Sequence, residues 1–255
     1  MKQFISFSGG VESTTMCVLW GNKADGIFAD TGYEHKEIYD RIKLVEDWVR
    51  SFHRPDFKIH LVKNVNYKSL PDYIRAAKFY PSYQSRFCTR MFKIEPINNY
   101  LKHFKDEGVN VMIGLNVDEI TQRTGAHDLY SFITHSYPLA DAGLNRYACI
   151  EILKKTGLYP EFPAYMKRGG CKGCYYKSKK EFTAMALLNP AEFKEVEDLE
   201  NDLNVNLTTR DQFFTILQGK SMKQIREDAT SSLFKPEEIY PAINNATKCG
   251  VFCNR

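Results

Sequence analysis

The chain has 255 residues, enough for one large domain or a domain with an appendage. Hydrophobic residues make up 43% and charged residues 26%, which excludes wholesale disorder, while 15 glycines and 10 prolines are too few for a collagen-like or linker protein. With 35 basic and 31 acidic residues the net charge is +4, which permits a nucleic-acid or nucleotide-phosphate partner without demanding one.

Phe4–Phe7 reads as a short apolar strand, and Glu12–Trp20 as a helix with apolar Met16, Val18 and Leu19. Gly26–Ala29 is a second strand. His35–Phe52 is a helix whose Ile38, Ile42, Val45 and Val49 recur at three-to-four spacing. Lys58–Val62 alternates like a strand, and Ser69–Phe79 reads as a helix with Ser69 as N-cap and Asp72 in its first turn. Ile94–Phe104 is a helix, Val109–Leu115 a strand, and Asn145–Lys155 a helix ended by Gly157. Repeated βα units predict an α/β fold with a doubly wound, mostly parallel sheet. From Leu158 prolines and glycines lead into cysteines, then into polar helices around Lys179–Asn201 and Thr208–Leu217. The expected division is a nucleotide-binding domain over Met1–Gly157 and a helical, cysteine-bearing extension over Leu158–Arg255. Apolar runs such as Val111–Met112–Ile113 are too short to span a bilayer, and Phe4–Phe7 is too short for a signal segment, so a cytoplasmic protein without membrane contact is expected.

Ser8-Gly9-Gly10-Val11-Glu12-Ser13-Thr14-Thr15 joins the first strand to the first helix. Glycines let backbone approach an anion, and the first helical N–H groups point at it with the helix dipole behind them. Ser8, Ser13 and Thr14 add hydroxyls, at the strand end where open α/β sheets bind ligands. No Gly-Lys-Ser/Thr ending follows, so this is not a Walker loop. The alternative is a tight βα connection without a ligand.

Seven cysteines are unusual for a cytosolic chain and suggest metal or redox chemistry. Cys171-x-x-Cys174, set among Gly169, Gly170 and Gly173, has the spacing of zinc, iron–sulfur and dithiol sites. Cys249 and Cys253 form a second pair, read as a metal-site contribution or as a tail of free thiols. Cys17 and Cys149 lie in helices and are read as core. His35, His53, His60, His103, His127 and His135 are dispersed, without ligand spacing, and are read as surface side chains. Tyr80, Tyr83, Tyr175 and Tyr176 are read first as packing aromatics, with base stacking as the functional alternative.

Ser8 to Ser13 resemble the Ser-Gly-Gly-x-Asp-Ser signature of the PP-loop ATP pyrophosphatases, with Glu12 in place of aspartate. Further segments are similar to the branch of phosphoadenosine phosphosulfate (PAPS) reductases and related sulfurtransferases. These are Asp30-Thr31-Gly32-Tyr33, Cys88-Thr89-Arg90-Met91-Phe92-Lys93-Ile94-Glu95-Pro96, Gly114-Leu115-Asn116-Val117-Asp118-Glu119 with Arg123, Tyr137-Pro138-Leu139-Ala140-Asp141 and Gly170-Cys171-Lys172-Gly173-Cys174. Asn116 stands where reductases tend to carry arginine, Ala142 where the branch has tryptophan, and Cys88-Thr89 where the iron–sulfur reductases have two adjacent cysteines. The tRNA 2-thiocytidine synthetases are similar in using three cysteines.

The resemblance implies an adenine nucleotide alpha hydrolase-like fold that binds ATP, or PAPS or adenosine phosphosulfate (APS). Ser8, Gly9, Gly10, Ser13 and Thr14 would hold phosphates, Glu12, a catalytic candidate, and Asp30 would lie near Mg²⁺ or the nucleotide, and Arg90, Lys93 and Arg123 would neutralise phosphate charge. Asp30 is also read as a turn cap, and Arg90 and Lys93 as surface charges. Cys88, Cys171 and Cys174 would ligate a [4Fe–4S] cluster with one open iron, with structural zinc as the alternative. The favoured reaction is ATP-dependent sulfur transfer: substrate adenylation with pyrophosphate release, then displacement of AMP by a cluster-bound or persulfide sulfur. The alternatives are a sulfonucleotide reductase forming sulfite, with Cys249 as nucleophile and Cys253 as resolving thiol, and a non-catalytic nucleotide sensor. Implied partners are a nucleic-acid or nucleotide sulfur acceptor, a sulfur donor or thioredoxin-like reductant, and a second copy of the chain.

Overall fold

In the computed structural model, residues 1–122, 130–205 and 213–231 are described. Five strands form one sheet: β1 (Lys2–Ser6), β2 (Asp25–Ala29), β3 (Ile59–Val62), β4 (Val109–Met112) and β5 (Ile133–Ser136). Their order is β3-β2-β1-β4-β5 and every pairing is parallel. The order reverses between β1 and β4, and such a switch point leaves a crevice at the carboxyl ends of the two strands. Helix α1 (Val11–Trp20) follows β1, and α2 (Lys36–Phe52) follows β2. A sheet covered on both faces needs apolar side chains pointing both ways from its central strands, and Phe4-Ile5 of β1 and Ile27-Phe28-Ala29 of β2 supply them. Phe4, Ile27, Ala29, Val109 and Val111 enter one cluster with Leu101, while Ile5, Phe28 and Met112 enter the larger cluster with Met16, Ile38 and Val45.

Helix α3 (Leu70–Ala77) starts at Ser69, whose hydroxyl accepts from the Asp72 N–H, as the sequence predicts. The following helix begins earlier than expected. It runs as α4 (Phe87–Thr89), a π turn (Arg90–Ile94), α5 (Glu95–Leu101) and a 3₁₀ turn (Lys102–Phe104). Pro96 does not start a helix here, because the backbone before it is already helical. Short helices α6 (Val117–Ile120) and α7 (Pro138–Asp141) and the strand β5 carry too few residues to show a period. Helix α8 (Arg146–Thr156) ends at Gly157 in the left-handed conformation, which glycine adopts without strain.

The extension packs on the same core. Ser178 and Glu181 form a capping box that starts α9 (Lys179–Leu188), and Pro190 separates it from α10 (Pro190–Asn204). The helix expected over Thr208–Leu217 is not formed where it is described: Phe213–Leu217 is non-helical. Its backbone is instead held from α10, with Asn204 bonded to both backbone groups of Phe214 and the Ile216 N–H donating to Glu200 at 2.8 Å. Glu200 also accepts from Met222, at the start of α11 (Met222–Ser231). Burial holds the Glu200 carboxyl above its ordinary range. No helix among the described residues is long and apolar enough to cross a membrane.

Phe4 is fully buried at the centre of the sheet, edge-on to His60 and Tyr100 with ring centroids 5.9 Å away. Phe4→Ala removes that ring from a site the surrounding strands cannot close, so an unfolding free energy lower by about 3–5 kcal/mol is expected in urea, at an unchanged m value.

Candidate active site

The loop between β1 and α1 is shaped by one glycine and one buried cation. Gly9 has φ +77°, a conformation that a side chain would strain, and Ile38 lies 3.3 Å from where its Cβ would be. Gly10 is ordinary extended backbone with room for a methyl group, so its contribution is open access to the first turn of α1. The exposed Ser8 joins a small network: its N–H donates to the Ser13 hydroxyl at 3.2 Å, and the two hydroxyls lie 3.2 Å apart. Beneath the loop sits Arg41 of α2, nearly buried. Its Nε donates to the Gly9 carbonyl at 2.9 Å, and its Nη2 donates to the Thr14 hydroxyl at 2.9 Å and to the Leu158 carbonyl at 3.0 Å. Burial lowers the guanidinium to about 10, which leaves it cationic at neutral pH. Thr14 is fully buried, its N–H bonds Gly10 and its hydroxyl bonds Arg41. It pins the loop, and the surface-facing hydroxyl is that of Ser8.

The two carboxylates expected beside Mg²⁺ have cationic partners of their own. Glu12 forms an ion pair with Arg146 of α8, with the Asn116 amide 3.5 Å away. Asp30 is buried, accepts from the Gly32 N–H at 2.8 Å and the Tyr39 hydroxyl at 2.7 Å, and pairs with Lys63 at 3.0 Å. Burial alone would raise Asp30, but these donors and Lys63 outweigh it and hold the carboxyl below its usual range. Asp30 therefore caps the turn, and each of the two carboxylates is paired with a cation. Asn116, at the position where reductases carry arginine, is buried and caps α6 through the Asp118 N–H at 2.9 Å.

The cysteine loop docks on the same strand ends. Gly169 packs 3.0 Å from the Ser8 carbonyl, as measured from its Cβ position. Lys172 N–H donates to the Tyr33 carbonyl at 2.9 Å, and Glu34 and Cys171 form an antiparallel bridge. Cys171 Sγ lies 3.5 Å from the Thr31 hydroxyl and 3.4 Å from the Glu34 carboxylate. Gly173 is required here: a Cβ would lie 2.5 Å from the Tyr80 hydroxyl and 2.8 Å from that of Tyr33. Tyr80 is buried and donates to the Gly173 carbonyl, while Tyr83, Tyr175 and Tyr176 pack on one another. Cys88 arrives from α4, and Lys93 from the π turn is the cation that all three cysteines share. Burial alone would lower Lys93, yet the negative charge of Cys171, Glu34, Cys174 and Cys88 raises it. π turns are frequent at functional sites, and this one delivers Lys93 to the thiols. Arg90, in the same turn, is exposed and lies 3.6 Å from Glu95.

Desolvation pushes the Cys171 thiol well up, with Glu34 adding to it, and burial raises Cys88. A free nucleophile needs the opposite shift, whereas a metal deprotonates its thiol ligands outright. The donor set therefore fits a metal group better than a free nucleophile. One tetrahedral zinc, with Zn–S bonds near 2.3 Å, needs sulfurs within about 4 Å. Among the described residues the three thiols do not all lie within 4.8 Å of one another. Cys17 and Cys149 are fully buried in the core, as expected, with Cys149 pushed up to about 11 by burial. Arg123, Cys249 and Cys253 lie outside the described residues. Arg41, Glu34 and Arg146 were not singled out in the sequence, where each is one charge on an amphipathic helix or in a loop.

Residues 2–126 match the family model of the phosphoadenosine phosphosulfate reductase domain. Among solved structures, the chain is similar to the phosphate complex of phosphoadenylyl-sulfate (PAPS) reductase from Candida auris, at 14% identity and a TM-score of 0.48 over 63% of this chain and 74% of that one. No curated protein matches.

Arg41→Met leaves the buried Gly9 and Leu158 carbonyls without their donor. A loss of roughly 2–5 kcal/mol in urea unfolding is expected, with weaker nucleotide binding by calorimetry, and Arg41→Lys restores only part because an ammonium lacks the planar fork. Asp30 gives a pH signature. Its folded carboxyl is lowered, so its contribution is complete above the unfolded value of about 3.9 and is lost as pH falls through the folded one. Asp30→Asn should flatten the acid limb of stability against pH below about 4, read by thermal melts across pH.

Proposed function

We propose that the chain, whose residues 2–126 form a phosphoadenosine phosphosulfate reductase-type domain, is an adenine-nucleotide enzyme of sulfur chemistry, and that its reaction is ATP-dependent sulfur transfer. The docking of the cysteine loop on the phosphate loop supports this most directly: Gly169 rests against Ser8 while Cys171 rests against Thr31, so thiols and phosphate site share one strand edge. The triphosphate would lie over Gly10 at the start of α1, against the Ser8 and Ser13 hydroxyls and the first-turn N–H groups. Glu12 and Asp30 keep Arg146 and Lys63, and Mg²⁺ would come with the nucleotide's own phosphates.

A substrate oxygen attacks the α-phosphorus, a P–O bond forms, and pyrophosphate leaves with the electrons of the broken bond. A hydrosulfide from the sulfur donor then attacks the activated carbon, the C–O bond to the adenylate breaks, and AMP leaves. Cys88, Cys171 and Cys174 would hold a [4Fe–4S] cluster, which when bound supplies an open iron for sulfur. Lys93 balances the thiolate charge, and Tyr80 and Gly173 fix the loop that carries two of the three ligands. The acceptor would be a nucleotide or a nucleic acid, suited to the mildly basic chain. The family match also favours a second reading, reduction of PAPS or APS to sulfite by Cys249 with a thioredoxin-like reductant.

Wild type should release pyrophosphate from ATP when the acceptor is present. Gly10→Val should fold, since the backbone there is extended, but lose ATP affinity at least tenfold because the branched side chain stands where the phosphates approach. Replacing Cys88, Cys171 or Cys174 with serine should strip iron and stop thiolation while pyrophosphate release continues. Sulfite from PAPS or APS without pyrophosphate from ATP would establish the reductase, and nucleotide binding without either product would leave a sensor.

A further inference from the structure

On the far side of the Glu34–Cys171 bridge lies a second group of donors. His35, the residue before α2, is fully buried, and was expected at the surface. One of its ring nitrogens and one carboxylate oxygen from each of Glu37 and Glu192 lie within 4.8 Å of one another. His35 Nδ1 is 2.5 Å from Glu192 Oε2, and Lys36 N–H donates to the other Glu192 oxygen at 3.3 Å. Tyr165 donates to Glu37 Oε1 and its ring stacks on His35 at 5.4 Å. Two buried atoms in this group have no protein partner: His35 Nε2 and Glu37 Oε2.

We propose that His35, through Nε2, and Glu37, through Oε2, bind a divalent first-row transition metal ion separate from the three cysteines, with Glu192 orienting the imidazole from Nδ1. An unpaired imidazole nitrogen and an unpaired carboxylate oxygen, both buried, are costly unless something bonds them. One ion, with bonds of about 2.0–2.2 Å to each, satisfies both. The contact between Nδ1 and Glu192 is the arrangement that fixes the ring of most metal-bound histidines, with a carboxylate on the nitrogen opposite the metal. An imidazole nitrogen with a carboxylate oxygen suits zinc, manganese or ferrous iron rather than calcium or magnesium alone. The charge is compatible: Lys172, 3.8 Å from Glu192, offsets one of two carboxylates, so the ion meets a site that is still net negative. Glu192 belongs to α10 and His35 and Glu37 to the start of α2, so the ion joins the extension to the nucleotide-binding domain.

Mn²⁺ tests this without nucleotide, cluster or activity, and the thiols compete weakly for such a hard ion. The full chain should bind one equivalent, seen as loss of the free Mn²⁺ electron paramagnetic resonance signal. Spin-echo modulation should show one directly bound imidazole nitrogen. Glu37→Gln and Glu192→Gln should each weaken binding at least tenfold, and the Mn²⁺-dependent rise in melting temperature should vanish in both. Cys171→Ser should leave binding unchanged. His35→Gln should remove the nitrogen modulation, and if that variant does not fold, the modulation in wild type together with Glu37→Gln decides. Binding without nitrogen coupling, unchanged binding in Glu37→Gln, or a crystal structure from Mn²⁺-containing solution with only water between His35 Nε2 and Glu37 Oε2 would overturn the proposal.

Discussion

The architecture hangs on a guanidinium that never reaches the surface chemistry. Arg41 bonds the Gly9 carbonyl of the phosphate loop, the Thr14 hydroxyl of α1 and the Leu158 carbonyl where the extension begins. A buried arginine is tolerated when its donors are used, and these three acceptors take three of its five. The same bonds hold the loop's backbone in the shape that opens Gly10 to a ligand. They also tie the start of the extension to that loop, which places the cysteine segment beside it.

From that anchor the site is assembled by backbone as much as by side chains. Lys172 joins Tyr33 through main chain, Gly169 packs on the Ser8 carbonyl, and Gly173 leaves room for two tyrosine hydroxyls. The result is a partly buried nest in which Cys88, Cys171 and Cys174 lie near Lys93 and Glu34. Low dielectric cuts both ways there: burial raises the Cys171 and Cys88 thiols, and it strengthens the attraction of thiolates to the ammonium once they form. Elsewhere, pairing with Arg146 and Lys63 fixes Glu12 in the first turn of α1 and Asp30 at the end of β2.

The extension is joined to the sheet domain by two layers of contact. The inner layer is the shared apolar core, in which Phe182, Phe193 and Val196 pack with the residues of α1 and α2. The outer layer is polar, with Glu192 reaching His35 and Lys36, and Lys172 reaching Glu195. Glu200 plays the equivalent part at the far end, holding Ile216 and Met222 by their N–H groups. Local propensity around Thr208–Leu217 points to a helix, but at Phe213–Leu217 these long-range bonds hold the backbone in another form.

The sequence by itself determined the α/β class, the parallel order of βα units, the glycine turn between β1 and α1 and the CxxC loop, because each is written in short-range signals: period, glycine spacing and hydroxyls at a helix start. It also determined Ser69 as a cap and Cys17 and Cys149 as core. Only the tertiary structure decided that Thr14 and Asp30 bond inward, that Glu12 meets Arg146, that Lys93 belongs with the thiols, and that His35 is buried against Glu192. These partners lie as much as 157 residues apart, as for His35 and Glu192. No periodicity spans such a distance; a charge in a sequence states what it can bond, and only the packing of α2, α8 and α10 around the sheet states what it does bond.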